Sequence, residues 1–202
     1  DLDAIRTVRS RGIFMEHAAP EGSGAMSAVL GMDAAVIENV LNGREGVSIA
    51  NYNCPGQIVI TGEAAAVAEA GTALKEAGAR RVLPLKVSGP FHSPMMRPAG
   101  EELAKVFARV SMNPLKIPYV ANINAEVITD CGRIEGLLVE QVSGSVRWQQ
   151  SVETMIREWV DTFVEIGPGK TLTGFLRKID KNVKAYHIGS WEEAVQVCEE
   201  LK

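Results

Sequence analysis

One histidine lies in a stiff segment from which it could act as a base. His92 stands in VSGPFHSPMM, residues 87–96, between Gly-Pro-Phe and Ser-Pro. Glycine and proline interrupt regular structure, so the segment is predicted to be a constrained loop at a strand end. Such loops hold ligands and catalytic groups in α/β proteins, and a histidine there can deprotonate a serine or cysteine. The alternative, a structural histidine, is the interpretation of His17 and His187, which lack this setting.

A base of this kind needs a nucleophile, and the chain offers no obvious one. The G-x-S-x-G elbow of hydrolase-like folds is absent. The nearest match, GVSIA at residues 46–50, lacks the last glycine and predicts a strand. Cys54 precedes a proline in a turn, and nothing nearby would obviously lower the pKa of its thiol, so it is interpreted as a small turn residue.

Two other segments carry groups that could bind an anion. Arg11 lies in RSRGIFM, and a buried arginine beside a cleft is a good fork for a carboxylate, with a solvated helix arginine as the alternative. EIGPGKT, residues 165–171, is similar to a phosphate loop, but a Walker A motif needs glycine where Val164 stands. It is predicted to be a tight strand-to-helix turn, which can still present backbone N–H groups.

Composition excludes several classes of protein. The 202 residues are 46% hydrophobic and 23% charged, with a net charge of −4, which argues against a nucleic-acid binder. No apolar run approaches the roughly 20 residues of a membrane span, and the charged start is unlike a signal peptide. Three scattered cysteines without a CxxC pair predict neither a zinc site nor a disulfide framework, so no metal is expected and a reducing cytoplasm fits best.

The elements that would position these residues indicate an α/β protein with an inserted subdomain. Apolar positions predict a helix from residue 2 to about residue 17. Residues 25–86 then predict the order βαββαβ, the ferredoxin-like split unit. The predicted segments are AMSAVLGM, DAAVIENVLNG, VSIANYN, QIVITG, EAAAVAEAGTALKEAG and RRVLPLKV.

Helices and strands alternate after the His92 loop, which indicates a layer of parallel strands. KIPYVANI, residues 116–123, is predicted to be a buried strand, and TFVEIG and KAYHIG are predicted to be strands near the chain end. The domain prediction is therefore a core formed by residues 1–24 and 87–202, with residues 25–86 as the ferredoxin-like subdomain. The chain begins in helical phase, as an internal fragment would.

Several segments, taken in order, resemble the malonyl-CoA:acyl carrier protein transacylases of bacterial fatty acid synthesis. They are RGIFM, GAMSAVLG, NYNCPGQIVITG, VSGPFHSPMM, VRW and VEIGPGKTLTG, and they cover roughly residues 1–180. The same series resembles the acyltransferase domains of polyketide synthases. The resemblance implies an α/β-hydrolase-like core with a ferredoxin-like insertion, and ping-pong acyl transfer through a serine ester.

The resemblance also assigns roles to residues. It implies His92 as the catalytic base and Gln141 as the residue whose backbone carbonyl orients it, which would fix the imidazole tautomer. Substrate contacts are implied for Arg11, which would bind the malonyl carboxylate, and for Phe91, whose ring would crowd a 2-methyl branch and favour malonyl over methylmalonyl. The remaining implied substrate contacts are Asn51, Asn53 and Met15.

One departure from the family pattern affects activity. The family's nucleophile lies in a G-H-S-x-G elbow upstream of the helix that starts this chain, and that segment is not in the sequence. The chain is therefore predicted to be the C-terminal part of a malonyl transacylase, inactive alone, with the serine outside it or on a separate chain. The expected partners are malonyl-CoA and acyl carrier protein, which carries its own phosphopantetheine, so no resident cofactor is expected.

Two alternatives remain open at this point. The chain could be a non-catalytic fragment that binds acyl carrier protein, since Arg80, Arg81, Lys86 and Arg97 flank the predicted cleft and could steer an acidic partner. It could also be a polyketide-type acyltransferase that uses a different extender unit.

Overall fold

The first half of the chain forms a four-stranded antiparallel sheet covered on one side by two helices. The computed structural model describes residues 2–201. Strands in this sheet lie in the order β2-β3-β1-β4, and all three pairings are antiparallel. The elements are α1 (Leu2–His17), β1 (Gly24–Leu30), α2 (Ala34–Leu41), β2 (Val47–Cys54), β3 (Gln57–Glu63), α3 (Ala64–Glu76) and β4 (Arg81–Pro84).

Alternating apolar residues explain why this sheet forms and where its core lies. One face of the sheet packs on α2 and α3 and buries Val29, Ile37, Ile60 and Leu74 completely. The other face buries a smaller cluster that includes Met26 and Ala50, against which Phe91 packs. Because Phe91 precedes His92, the second face of the sheet fixes where the His92 loop can lie.

The second half of the chain is mainly helical. A 3₁₀ turn at Pro94–Met96 leads directly into α4, and a second at Cys131–Arg133 leads into α5. The elements are α4 (Arg97–Phe107), β5 (Tyr119–Val120), β6 (Val127–Ile128), α5 (Ile134–Ser143), α6 (Trp148–Arg157), β7 (Thr162–Ile166), α7 (Thr171–Ile179), β8 (Lys184–Ile188) and α8 (Trp191–Glu200).

A second core joins α1, which precedes the antiparallel sheet, to α4 and α5, which follow it. Helix α4 packs against both α1 and α5. Their shared interior contains Met15, Met96, Leu103 and Val142, each at most 6% exposed. Residues before and after the antiparallel sheet therefore meet in one helical cluster, and the His92 loop runs along its edge.

The prediction of a long buried strand at residues 116–123 is wrong. Only Tyr119–Val120 is extended, and it pairs antiparallel with Val127–Ile128 across a tight turn. The turn is closed by the amide of Ala121, which donates to the carbonyl of Glu126, and Ala125 has a φ of 59°. Pro118 supplies no N–H for a strand ladder, so the apolar run cannot continue as a central strand.

The predicted parallel layer is reduced to one pair of strands within residues 2–201. Strands β7 and β8 are parallel, in the register Thr162 to Lys184 through Ile166 to Ile188. Apolar side chains of nearby elements are left uncovered: Leu2, Ile5 and Val8 on α1 are 59%, 67% and 69% exposed, and Ile166 is 78% exposed.

Among the described residues, no helix has the length and apolar character needed to cross a bilayer.

Candidate functional site

The backbone at His92 adopts a conformation that is unusual for a residue with a side chain. Its φ is 59°, in the left-handed region, which typically costs a non-glycine residue about 1–3 kcal/mol. The hydroxyl of the fully buried Ser93 holds the loop in place by donating to the carbonyl of Pro90 at 2.7 Å. The same oxygen accepts from the amide of Met95 at 3.3 Å, so Ser93 is committed to capping the 3₁₀ turn.

Two backbone carbonyls select the tautomer of His92. Its Nδ1 lies 3.0 Å from the carbonyl oxygen of Gln141 and 3.1 Å from that of Gly144. Carbonyl oxygens only accept hydrogen bonds, so Nδ1 carries the proton and donates. The other ring nitrogen, Nε2, is then an unprotonated lone pair, which is the form that a general base requires.

The surroundings of His92 keep its ring neutral at pH 7. Burial lowers its pKa from the ordinary value of 6.5 and is the largest influence. The carbonyl of Gln141 opposes this shift, the positive charge of Arg11 adds to it, and the carbonyl of Gly144 opposes it weakly. The net pKa lies below 6.5, so the ring is a base across the neutral range.

The acceptors for His92 come from the C-terminal end of α5, where helix carbonyls lack partners within the helix. The side-chain amide of Gln141 folds back over this end. Its Nε2 donates to the carbonyl of Gly144 at 2.9 Å and to that of Ser145 at 3.2 Å. Gln141 thus contributes twice, through its own carbonyl on His92 and through its amide, which positions the second carbonyl.

Gly144 is tightly enclosed at this turn. A Cβ built on it would lie 2.1 Å from the Cδ1 of Ile123 and 3.1 Å from the carbonyl oxygen of Glu140. We expect Gly144→Ala to lower the free energy of unfolding by about 1–3 kcal/mol, since the side chain of Ile123 must shift and the turn must give.

This prediction is checked by measuring the free energy of unfolding in denaturant for Gly144→Ala and, for comparison, for Gly136→Ala. Gly136 lies inside α5, the helix that ends just before Gly144, and a Cβ there meets nothing within 4 Å. Gly136→Ala should therefore stabilise the chain by roughly 0.5–1 kcal/mol. Equal effects of the two substitutions would contradict the crowding at Gly144.

Strand β2 anchors the turn that follows Gly144. The amide of Val146 donates to the carbonyl of Ala50 at 2.7 Å, and the amide of Tyr52 donates to the carbonyl of Val146 at 2.9 Å. Asn51 therefore forms a parallel bridge with Val146 and lies beside the turn. Asn53 is half-buried two residues further along β2, and no described contact joins its side chain to His92.

Arg11 faces a cavity that also reaches Gln141. The cavity has a volume of about 430 Å³, and its other walls include Asp3 and Val8 of α1 and Leu103 and Phe107 of α4. The guanidinium is partly buried, and desolvation lowers its pKa. Among residues 2–201 no carboxylate lies within ion-pair distance of it. A cation held in a largely apolar cavity is suited to a carboxylate from a ligand.

Phe91 and Met15 are placed differently from Arg11. Met15 is 6% exposed and belongs to the helical core with Met96, so its described contacts are with other core residues. Phe91 packs against both that core and the second face of the sheet. The structure therefore brings together His92, Gln141, Arg11 and Phe91, whereas Met15 lies in the helical core, so the predicted substrate contact of Met15 is not supported.

The phosphate-loop interpretation of residues 165–171 is excluded by a carboxylate. Glu165 accepts from the amide of Leu172 at 3.1 Å, and from the amide and hydroxyl of Thr173 at 2.7 Å each. It therefore occupies the N-terminus of α7, where a phosphate would have to bind. The prediction of a tight strand-to-helix turn is confirmed, with positive φ at Gly167 and Gly169.

Glu165 makes the stability of the chain depend on pH. Burial raises the pKa of this carboxyl, but the hydrogen bonds from Thr173 and Leu172 outweigh burial and hold the pKa below its ordinary value. A carboxylate with a depressed pKa stabilises the fold above its unfolded-state pKa, and this contribution is lost as the pH falls through the folded-state pKa. We expect Glu165→Gln to reduce the stability difference between pH 7 and acidic pH.

Thermal unfolding of Glu165→Gln between pH 7 and pH 3 measures that difference, with Glu199→Gln on the exposed face of α8 as the matched change. Glu199→Gln should leave the profile as it is in the wild type. If the thermal stabilities of wild type and Glu165→Gln fall by the same amount between pH 7 and pH 3, Glu165 does not cause the pH dependence.

Cys54, His187 and His17 lie in surroundings that give them no catalytic role. Burial raises the pKa of Cys54, although the charge of Lys178 opposes it, so the thiol is a poor nucleophile. His187 has a side chain only 9% exposed, and its Nε2 lies 2.9 Å from the carbonyl oxygen of Gly167. His17 is exposed at the end of α1.

The interpretation of the sequence gave no role to Gly144 and Ser145 in the turn beside His92, or to Glu165 at the start of α7. Gly144 and Ser145 lie in VSGSV, where small residues indicated only a helix end. Glu165 lies six residues before α7, too far for the capping pattern that a sequence displays. The one available signal was the run Gly-Ser after a helix, which is common where a chain turns sharply.

Comparison with known proteins gives a consistent result. The model of the family described as acyl transferase domain matches residues 1–197. The malonyl CoA-acyl carrier protein transacylase of Bacillus subtilis is 44% identical over 204 residues, which cover 99% of this chain and 64% of that protein. This chain thus spans just under two thirds of the length of that relative.

Solved structures agree with this assignment. The malonyl CoA-acyl carrier protein transacylase from Clostridium perfringens superposes with a TM-score of 0.94 at 39% identity, covering 98% of this chain and 64% of that one. A malonyl-transacylase in complex with a type II PKS acyl-carrier protein superposes with a TM-score of 0.91 at 38% identity, covering 98% and 65%. Together with the family match over nearly all of its length, these similarities show that the chain belongs to the acyl transferase domain family.

Proposed function

We propose that the protein transfers a malonyl group from coenzyme A to the phosphopantetheine thiol of acyl carrier protein. The observation that carries this proposal is the geometry of His92. Its Nδ1 is held by the carbonyls of Gln141 and Gly144, its Nε2 has no hydrogen-bond partner among residues 2–201, and Arg11 lies close enough to lower its pKa. The similar proteins are malonyl transacylases, and one solved structure shows such an enzyme in complex with an acyl-carrier protein.

Acyl transfer in this scheme takes two steps on one serine. His92 Nε2 removes the proton of the serine hydroxyl, the oxygen attacks the malonyl thioester, and coenzyme A leaves with the proton returned by the imidazolium. The thiol of the carrier protein then gives its proton to His92 and attacks the serine ester, which restores the serine. The carbonyls on Nδ1 stabilise the imidazolium in both steps, the role that an aspartate has in serine triads.

The serine of this scheme is supplied by sequence outside these 202 residues. The chain contains no G-x-S-x-G motif, and the matched relatives are longer than this chain. The uncovered apolar face of α1, with Leu2, Ile5 and Val8, is the kind of surface that an additional layer of structure would bury. The 202 residues alone are expected to be inactive.

The proposed domain architecture is an α/β-hydrolase-like core, residues 1–24 and 87–202, with residues 25–86 as a ferredoxin-like subdomain. The sheet order β2-β3-β1-β4 and the βαββαβ chain order support the subdomain. The packing of α1 on α4, across the inserted segment, supports a core built from both flanks. The parallel pair β7 and β8 is the part of a doubly wound layer that these residues contain.

Substrate selectivity in this proposal depends on two residues. Arg11 binds the free carboxylate of malonyl, since its guanidinium has no carboxylate partner among the described residues and faces the cavity. Phe91, wedged between the helical core and the sheet, limits room for a branch at the 2-position. An extra methyl typically changes selectivity by about 1–3 kcal/mol, so the preference for malonyl over methylmalonyl is modest.

The experiment that tests this function follows the malonyl group onto the carrier. The complete protein that contains this chain is mixed with malonyl-CoA and the phosphopantetheinylated carrier protein, and the mass of the carrier is measured with time. A gain of one malonyl group is expected, sensitive to salt because Arg80, Arg81, Lys86 and Arg97 are exposed and the carrier is acidic. Salt-sensitive binding without transfer would instead establish a carrier-binding fragment.

A second candidate function is supply of extender units to a polyketide carrier protein. One observation favours it, namely the similarity to a malonyl-transacylase solved in complex with a type II PKS acyl-carrier protein. Competition between malonyl-CoA and methylmalonyl-CoA, with carriers of both kinds, separates the candidates. Equal or preferred use of methylmalonyl-CoA would contradict the role given to Phe91.

A further inference from the structure

One side chain adds to the backbone hydrogen bonds of Val146 that attach the turn holding His92 to the antiparallel sheet. The hydroxyl of Ser145 donates to the carbonyl of Ile49 at 2.5 Å, across 96 residues of sequence. Ser145 directly follows Gly144, whose carbonyl accepts from His92 Nδ1 at 3.1 Å. The carbonyl of Ser145 itself accepts from the side-chain Nε2 of Gln141 at 3.2 Å. One residue therefore joins β2, the end of α5 and an acceptor of the base.

An irregularity in β2 leaves the carbonyl of Ile49 available to accept the hydrogen bond from Ser145. The pairing of β2 with β3 runs from Ile49 opposite Ile60 to Asn51 opposite Val59, so Ala50 is an extra residue at a bulge. Bulges bend a strand and leave backbone groups unpaired in the ladder. Here the carbonyl of Ile49 receives the Ser145 hydroxyl, and the carbonyl of Ala50 receives the amide of Val146.

We propose that Ser145 is a positioning residue for His92. By fixing the turn against the β2 bulge, it keeps the Gly144 carbonyl within reach of Nδ1 and so holds the base in the productive tautomer and orientation. This inference rests on the proposed role of His92 as base. The hydrogen bond from Ser145 thus links the antiparallel sheet to the turn whose carbonyl accepts from His92.

The direction of the effect follows from the hydrogen bond itself. A carbonyl that accepts from Nδ1 stabilises the protonated ring, and the Gly144 carbonyl raises the pKa of His92 against the effect of burial. When this carbonyl moves away, the pKa of His92 falls further and the tautomer is held by the Gln141 carbonyl alone. The imidazolium that forms during catalysis is then less stable.

The test compares Ser145→Ala with Ser145→Thr in the complete protein that contains this chain. Long-range proton–nitrogen NMR reports the tautomer and pKa of His92 directly, without any turnover. We expect Ser145→Ala to lower the pKa of His92 and to populate the second tautomer. In kinetics we expect kcat to fall about five- to tenfold, the size for one lost hydrogen bond, with KM for malonyl-CoA unchanged. Ser145→Thr keeps the hydroxyl and should restore both.

Ser190→Ala is the matched control. It removes a hydroxyl that accepts from the backbone amide of Glu193 at the start of α8, away from the His92 turn. It should lower thermal stability while leaving the pKa and tautomer of His92 as they are in wild type. If Ser145→Ala behaves like this control, lowering stability only, Ser145 is structural and the proposal is wrong.

The readouts separate this inference from the proposed function. A pKa and tautomer of His92 that respond to Ser145→Ala support positioning even if no malonyl is transferred. A protein that transfers malonyl while Ser145→Ala changes neither the pKa, the tautomer nor kcat retains its proposed function and excludes Ser145 as a positioning residue.

Discussion

Replacing His92 by alanine is expected to slow malonyl transfer in the complete protein by several orders of magnitude. The variant loses the free Nε2 that removes the proton of the serine and of the carrier thiol, and a positioned general base contributes roughly 10²–10⁴-fold to rate. We expect kcat for transfer to fall by about that factor. Stopped-flow or quenched measurement of the acylation step and of carrier malonylation gives both half-reactions, and both should be slowed.

The fold should tolerate this change, which makes the result interpretable. His92 adopts a left-handed conformation, but the loop is held by Ser93 and by the turn into α4, which the substitution leaves intact. His17→Ala, at the exposed end of α1, is the matched control and should be fully active. Wild-type rates in His92→Ala would refute its role as the base.

The pH dependence of the wild type should agree with the same assignment. The base must be neutral, and burial together with Arg11 places the pKa of His92 below 6.5 despite the opposing carbonyls. Activity governed by His92 is therefore full at neutral pH and is lost as the pH falls through that lowered pKa. An acid limb of kcat/KM centred above 6.5 would contradict the environment described for this ring.

Replacing Arg11 by alanine is expected to remove selectivity for a charged acyl group. The guanidinium is partly desolvated in its cavity and has no carboxylate partner among the described residues, so it is available to a ligand carboxylate. A charge-assisted hydrogen bond contributes about 1.5–3 kcal/mol, which corresponds to roughly 10- to 150-fold in kcat/KM for malonyl-CoA. Acetyl-CoA lacks the carboxylate, so its kcat/KM should change little.

Two further variants show whether the effect belongs to the guanidinium. Arg9→Ala removes an exposed arginine from the same helix and should leave both substrates unaffected. Arg11→Lys keeps the charge but loses the planar fork, so malonyl-CoA should be used at an intermediate level. Equal losses for malonyl-CoA and acetyl-CoA in Arg11→Ala would exclude a carboxylate-binding role.

The antiparallel sheet could be predicted from local patterns alone. Period-two apolar residues in QIVITG and the helical run EAAAVAEAGTALKEAG, ended by Gly78, indicate their elements without any tertiary information. The strand prediction for KIPYVANI was wrong. Its apolar run is typical of a buried strand, but Pro118 and the turn at Ala125 limit the strand to two residues. Such a turn depends on contacts that periodicity does not contain.

The sequence pointed to the principal residues of the candidate site, but not to the residues that hold them in place. His92 stands out because prolines and a glycine surround it, and the family resemblance pointed to Gln141. The second carbonyl, from Gly144, and the Ser145 bond to Ile49 join residues far apart in sequence, so no spacing rule could reveal them. Glu165 shows the same limit, since it caps α7 from the preceding strand.

The most direct test of the account is denaturing mass spectrometry of the complete protein after brief mixing with malonyl-CoA. Wild type is expected to gain one malonyl group on a serine outside these 202 residues, and His92→Ala is expected to gain none in the same time. A malonyl group attached within residues 1–202, or equal labelling of wild type and His92→Ala, would contradict the assignment of His92 as the base that serves an external serine.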